Sequence, residues 1–415
     1  MLSLTGYYWG SRTGIGGPLG QTQAIPALFN GGQRISSISA GQGYTLYVDV
    51  DGNAYASGSI AMLSMYRGQF GVGNDVTQGS NIDRPITNVV VRNGVERPAP
   101  RFESVYAGRD HSAFIDRSGR VYTTGSNSGG KLCLGDDNGD KDVPHLVSLP
   151  SKSVAVSVAL GLEFTLILLD NGDVYGCGSN SVGEIGLGNT ESVSEPTLIG
   201  ERLGRIKAIS AGGDFGLYLT ESGRAYSSGG NLYNQQCSDT DGNPIRTLTE
   251  VDVQGLSVVG IQGGRASSYL LLTDGSSLPA VASCGRNDEG QLCGNSVNGR
   301  AQVIFDASVR VTEIGSGSTA QTVFFLGVDT ADGSDVAYGC GANGLNQVGI
   351  GTNQPPQLNL PRRLNLFGSR NFNIDIFASS SHTLAIGTIF SSPPTPPPTG
   401  KPCESRAIPN FFVPC

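Results

Sequence analysis

The residues of this 415-residue chain best equipped for chemistry are its eight cysteines. Metal and nucleophile chemistry are poorly provided for. The three histidines (His111, His145, His382) are dispersed and no Cys-x-x-Cys pair exists, so a zinc site is not expected. There is no Gly-x-Ser-x-Gly elbow, no His-Glu-x-x-His and no Gly-x-x-x-x-Gly-Lys-Ser/Thr loop. The acidic stretches Asp136–Asp142 and Asp239–Asn243 offer oxygens to a cation. Both lack the bidentate Glu and glycine spacing of an EF-hand, and read as solvated turns. The chain is therefore expected to be non-enzymatic and to need no cofactor. What remains is thiol chemistry, and its meaning depends on what positions the thiols.

Composition narrows the possibilities. The chain has 61 glycines and a net charge of −8, with charged residues at only 15% and hydrophobic ones at 38%. That is too apolar for a disordered chain. The glycines have no Gly-X-Y period, and no apolar run approaches the ~18 residues needed to span a bilayer. An acidic balance without a Lys/Arg cluster argues against a nucleic-acid surface.

The chain repeats with a period near 50 residues. A small-residue turn opens each copy, as in Ser39–Tyr44, Tyr106–His111, Ala159–Phe164 and Ser210–Phe215, with weaker copies at Ile261–Ala266, Gly315–Ala320 and Phe377–His382. An apolar β-rich run follows, then a hairpin signal such as Asp51-Gly52, Asn171-Gly172 or Asp274-Gly275. A second strand comes next (Val121–Gly125, Val174–Gly178), and many copies close with a loop of the Gly-Gln-Leu-Gly kind. No stretch has a 3.6-residue apolar period, so the unit is all-β. A four-stranded sheet of this size cannot bury both faces alone, and radial stacking into a propeller solves that. Seven copies predict seven blades. The last copy lacks its Tyr-x-x-Gly strand, which stands at the other end of the chain as Gly6–Gly10. The N-terminal strand is thus expected to complete the last blade, with Trp9 anchoring the latch. Residues 1–390 are read as the propeller, 391–402 as a Pro-rich linker and 403–415 as a closed tail.

The cysteines fall into this frame. Cys177, Cys284 and Cys340 precede the strand-closing glycine, whereas Cys133, Cys237 and Cys293 lie in the closing loop. The loop position of one blade faces the strand position of the next. That pairs Cys133 with Cys177, Cys237 with Cys284 and Cys293 with Cys340, while the other junctions have cysteine at neither place. Chance gives such a match roughly one time in 35. Three disulfides stitching adjacent blades are expected, and a fourth, Cys403–Cys415, in the tail. The competing reading is free cysteine packed as a small hydrophobe.

The alternation of Ala-Gly-x-x-His, Asp-Gly-x-Val-Tyr and Gly-x-Asn-x-x-Gly-Gln-Leu-Gly resembles the repeat of the regulator of chromosome condensation family. Tyr106–His111 with Val121–Asn127, and Cys284–Leu292, carry it most clearly. The resemblance spans about 390 residues. It implies a seven-bladed propeller, and leaves function open among a nuclear exchange factor for the Ran GTPase, ubiquitin-ligase domains and a secreted β-lactamase inhibitor.

The tail changes chemistry. Ser391–Gly400 is a polyproline segment, stiff and coreless, in which Ser391, Ser392, Thr395 and Thr399 are candidate O-glycosylation positions. Beyond it, Phe411, Phe412 and Val413 form an apolar patch, expected to fold back on the ring or to dock on another copy and build a filament. Stitched blades point to an oxidising compartment, although no signal peptide is visible before the first strand. The reading is a secreted or cell-surface structural module binding a protein partner, itself included, with no nucleic acid and no membrane span. The alternative is a guanine nucleotide exchange factor or intracellular adaptor of the regulator of chromosome condensation type. Ser59–Arg67 and Asn88–Pro100 are the expected contact loops.

Overall fold

In a computed structural model, residues 5–11, 15, 22–28, 34–59, 66–74, 81–150, 153–200, 203–237, 242–275, 279–294, 299–303, 305, 308–351, 354–364 and 372–389 are described. The order is β1 (Thr5–Ser11), β2 (Thr22–Leu28), β3 (Ile35–Ala40), β4 (Tyr44–Asp49), β5 (Ala54–Ser59) and β6 (Asn81–Pro85). A hairpin of β7 (Asn88–Val91) and β8 (Val95–Pro98) precedes β9 (Phe102–Ala107), β10 (His111–Asp116), β11 (Val121–Gly125) and β12 (Lys141–Leu146). Then come β13 (Ala155–Leu160), β14 (Phe164–Leu169), β15 (Val174–Gly178) and β16 (Val193–Ile199), followed by β17 (Ile206–Ala211), β18 (Phe215–Thr220), β19 (Ala225–Gly229) and β20 (Ile245–Glu250). The last elements are β21 (Ser257–Gly263), β22 (Ser267–Thr273), β23 (Ala280–Gly285), β24 (Gly299–Val303), β25 (Val309–Gly315), β26 (Thr322–Asp329), β27 (Asp335–Ala342), β28 (Gln357–Arg363), β29 (Phe372–Ala378) and β30 (His382–Ile389).

Among the described residues these strands make an all-β propeller. The regular four-stranded blade, expected seven times, occurs six times and not seven; the other sheet has six strands, in the order β8-β7-β12-β11-β10-β9. The departure comes from Asn88–Pro98, expected to be a loop. Its Asn93-Gly94 turn folds it into a hairpin whose Val90 lies parallel to His145 at the sheet's outer side. Val89 is buried with Phe102 and Phe114. β1 runs antiparallel to β30, Tyr7 opposite Ala385 and Gly10 opposite His382, so the two ends of the chain share one sheet.

Burial grades outward. The second strands β4, β10, β14 and β18 are buried along their whole length. Blades press on them from both sides, so they read as continuous apolar runs rather than alternating ones. The outer strand β20 is mostly exposed. Innermost strands pack in succession, β3 on β9, then β13, β17, β21, β25, β29 and back to β3. Each interface is apolar and shared. Phe164, Leu166 and Leu168 of one blade pack with Ile206, Ile209 and Tyr218 of the next.

The repeat's turn glycine has a steric reason. A Cβ on Gly212 would lie 1.9 Å from Cε1 of Phe215, three residues on, because that ring folds back over the turn. Gly161 under Phe164 is the same case.

Candidate protein-interaction face and blade junctions

Each innermost strand ends at the Ala-Gly turn, so these turns and the closing loops share one face of the ring. A cavity of about 90 Å³ lies there, lined by Ala40, Ala107, Leu160, Ala211, Ser318 and Ala378, the ends of the inner strands and the turn beyond β25. Small side chains keep it narrow. Ser39 and Ser210 hydroxyls accept the Ala107 and Gly263 amides, tying neighbouring inner strands.

In five blades the closing loop is shaped by one asparagine. Asn127, Asn180, Asn231, Asn287 and Asn343 each accept, through Oδ1, the backbone N–H five residues on, at 2.9–3.2 Å. The sequence pattern included this asparagine without assigning it that task.

Charge gathers on this face between β9–β12 and β13–β16. Lys131, fully buried, places Nζ 2.7 Å from Asp110 and 2.8 Å from Glu163, and Arg109 pairs with both carboxylates. Burial pushes the Asp110 carboxyl up, but His111 and the Lys131 ammonium hold it well below the usual range. Sequence reasoning missed Lys131. Its signal was a cation where other closing loops have Gln69, Gln235, Gln291 and Gln347.

One blade further, Asp214 stands where Asp110 and Glu163 stand but pairs with no cation among the described residues. Gln235 replaces lysine and donates to it at 3.3 Å, and burial pushes the carboxyl above its ordinary value. Beside it the closing loop presents Leu232, 73% exposed, and Tyr233, whose ring lies 5.3 Å from the Arg286 guanidinium. Of these, tyrosine and arginine are the side-chain types that most often anchor protein partners.

The histidines serve packing. His111 Nε2 meets Thr165 Oγ1 at 3.1 Å, and His382 meets Thr45 Oγ1 at 3.1 Å and Ser379 Oγ at 3.0 Å. Burial holds both below the ordinary imidazole value, His382 at about 4. Ser267 and Thr322, opposite Gly285 and Gly341, occupy the place that His111 and His382 hold in their blades. The copy read as Ile261–Ala266 is one residue out of register, because its turn glycine is Gly264 and not Gly263, and the turn before Thr322 is longer than the others. Among the described residues no cluster of His, Cys, Asp or Glu is disposed to hold a metal. Asp136 accepts from the Asn138 amide and Asp140 from the Asn127 amide, each bonded within its own loop.

The structure brings the junction cysteines together. Cα–Cα separations are 5.4 Å for Cys133 and Cys177, 5.3 Å for Cys237 and Cys284, and 5.7 Å for Cys293 and Cys340, all at disulfide distance. Cys133, Cys237 and Cys293 have φ of 58, 55 and 57°, the left-handed region. Equivalent loop positions in other blades are Gly71, Gly186 and Gly349, with φ of 70, 79 and 74°. The loop dictates that conformation, which costs a residue with a Cβ about 1 kcal/mol. Facing two of the glycines are hydroxyls rather than thiols. Thr124 donates to Gly68 O at 3.0 Å and Ser228 to Glu184 O at 3.1 Å. Cys403, Cys415, Ser391, Ser392, Thr395, Thr399, Phe411, Phe412 and Val413 lie outside the described residues.

Part of this β-propeller, between residues 102 and 235, matches regulator of chromosome condensation repeats. The repeat's family models match residues 118–168 and 171–219, and in a second form 102–131, 155–184 and 206–235. The human E3 ubiquitin-protein ligase HERC2 is 29% identical over 304 residues, 72% of this chain and 6% of that protein. The RCC2 homolog of Xenopus laevis is 34% identical over 143 residues, 34% of this chain and 28% of the relative. The chain thus spans only a small part of these relatives' length. In fold it is similar to Prp20p of Saccharomyces cerevisiae, with a TM-score of 0.74 at 19% identity, covering 94% of this chain and 93% of that one.

The expectation of a secreted or cell-surface structural module, a filament or coat subunit, is overturned by these matches. A repeat shared with a ubiquitin-protein ligase and with RCC2 is at odds with an extracellular scaffold, and the alternative reading fits better. No helix among the described residues is long and apolar enough to cross a membrane.

Proposed function

We propose that this chain is a non-enzymatic, intracellular protein-binding propeller of the regulator of chromosome condensation type, acting as an adaptor or as an exchange factor for a small GTPase. The observation that carries this reading is Asp214. Of three equivalent turn carboxylates, two are neutralised within the chain, and the third is half-buried with no cation among the described residues, beside exposed Leu232 and half-buried Tyr233. A basic side chain from a partner would complete it as Lys131 completes Asp110. Prp20p, which is similar in fold, has binding properties to Gsp1p and histones, and this supports a protein ligand for this fold. Exchange by a propeller needs only binding that favours the nucleotide-free GTPase, so the lack of nucleophile motifs suits either role.

The test is quantitative capture of partners by the full chain, its Asp214→Lys variant and an opposite-face control, Arg117→Glu. Partners lost with Asp214→Lys and kept with Arg117→Glu support the reading. Identical partner sets overturn it. Release of fluorescent GDP from a Ran-type GTPase separates the roles: acceleration indicates exchange, and binding without acceleration indicates an adaptor.

A further inference from the structure

The structure assigns the three blade junctions at Cys133–Cys177, Cys237–Cys284 and Cys293–Cys340 as sites of reversible thiol oxidation that alternate with a thiol-free form of the same joint. The thiol-free form is visible elsewhere in the ring. At two of the junctions without cysteine the loop residue is a left-handed glycine, Gly71 or Gly186, and the strand residue is a hydroxyl, Thr124 or Ser228. Where cysteine replaces the glycine it is forced into the same left-handed backbone. A Cβ there is a disadvantage unless its sulfur is used, and in all three cases the strand opposite supplies a second cysteine at 5.3–5.7 Å between Cα atoms. The placement of the facing cysteine favours bond formation, and the left-handed backbone independently marks the loop position as one where a Cβ has to serve a purpose.

All six cysteines are buried, none more than 4% exposed, so exchange requires the junction to open. The oxidant class is a low-molecular-weight disulfide such as oxidised glutathione. One cysteine thiolate attacks it, forming a mixed disulfide and releasing one glutathione thiolate. The facing cysteine thiolate displaces the second glutathione. The protein loses two electrons and two protons per junction, and one glutathione disulfide becomes two thiols. Each bond closes a loop of 44 or 47 residues between consecutive blades, so oxidation fastens blade to blade without changing the fold.

The experiment equilibrates the full chain in glutathione buffers from reducing to oxidising, blocks free thiols in denaturant and maps linked peptides by mass spectrometry. Melting temperature is measured in parallel. The expected map shows the three inter-blade links in oxidising buffer and six blocked cysteines in reducing buffer, with a lower melting temperature when reduced. Cys133→Gly/Cys177→Thr rebuilds the Gly71–Thr124 joint. It should melt above the wild type in reducing buffer and below it in oxidising buffer, a crossing that loss of packing alone does not produce. Blocked cysteines at all redox settings, links between other partners, or equal melting of oxidised and reduced protein would overturn the assignment. If the double variant does not fold, the peptide map still decides.

Discussion

Acid should loosen the ring at the sheet where the two chain ends meet, and the size of the effect follows from His382. Its side chain is fully buried, with Nε2 3.1 Å from Thr45 of the adjoining blade. Burial lowers its pKa from 6.5 to about 4. The unfolded chain therefore takes up this proton first. Stability is intact above pH 6.5, falls as pH drops through 6.5 toward 4, and levels off below. A difference of that size corresponds to about 3 kcal/mol across the window. His382→Phe supplies the control, because Phe164 and Phe215 fill the equivalent slot in other blades. The variant forfeits the Thr45 and Ser379 hydrogen bonds, so it starts less stable at pH 7. Its deficit should shrink and then reverse on acidification. Urea unfolding of both proteins at steps from pH 7 to pH 4 measures this. Parallel stability curves would refute the reasoning, since they would mean that His382 is charged or solvated in the folded ring. His111, also held low by burial, should add a further fall in the same direction.

Other outcomes follow from the same geometry. Lys131→Met should cost about 2 kcal/mol in urea unfolding: it removes the buried cation from two carboxylates, while Arg109 and partial solvation of both limit the loss. Gly212→Ala drives a methyl into the Phe215 ring and should lower stability by about 3 kcal/mol, read from the same assay. Asp214→Asn should raise the melting temperature at pH 7 while weakening partner binding. A carboxyl held above its ordinary value disfavours the folded state once it ionises, and the amide removes that penalty.

Much of the ring was legible because propeller blades are local. Turn, strand, hairpin and strand follow one another within 50 residues, so small-residue turns and Asn-Gly or Asp-Gly signals mark each unit. The pairing of β1 with β30 was foreseen from a strand missing at one end and surplus at the other. The β7–β8 hairpin was not, since Asn93-Gly94 lies in a connection where the repeat has no strand and only the packing of Val89 decides the matter. Ser267 was missed because either Gly263 or Gly264 can be read as the turn glycine, and Thr322 because its turn is longer than the others, which shifts the register invisibly in sequence. The interaction face was hardest to read. Lys131 and Asp214 are single residues whose meaning lies in whether a cation and a carboxylate from neighbouring blades meet. The left-handed backbone of Cys133, Cys237 and Cys293 was implicit in the glycines of the other loops, but only the dihedral angles make the equivalence plain.

The account rests on binding through the face of Ala-Gly turns and closing loops. Hydrogen exchange of the full chain, alone and in complex with a partner purified by capture, measures this directly. The account predicts slowed exchange in peptides covering Gly229–Gln235 and Arg286–Gln291, with the Ser118–Arg120 and Ser222–Arg224 hairpins of the opposite face unchanged. Protection confined to those hairpins, with the closing loops exchanging as in the free protein, would contradict it.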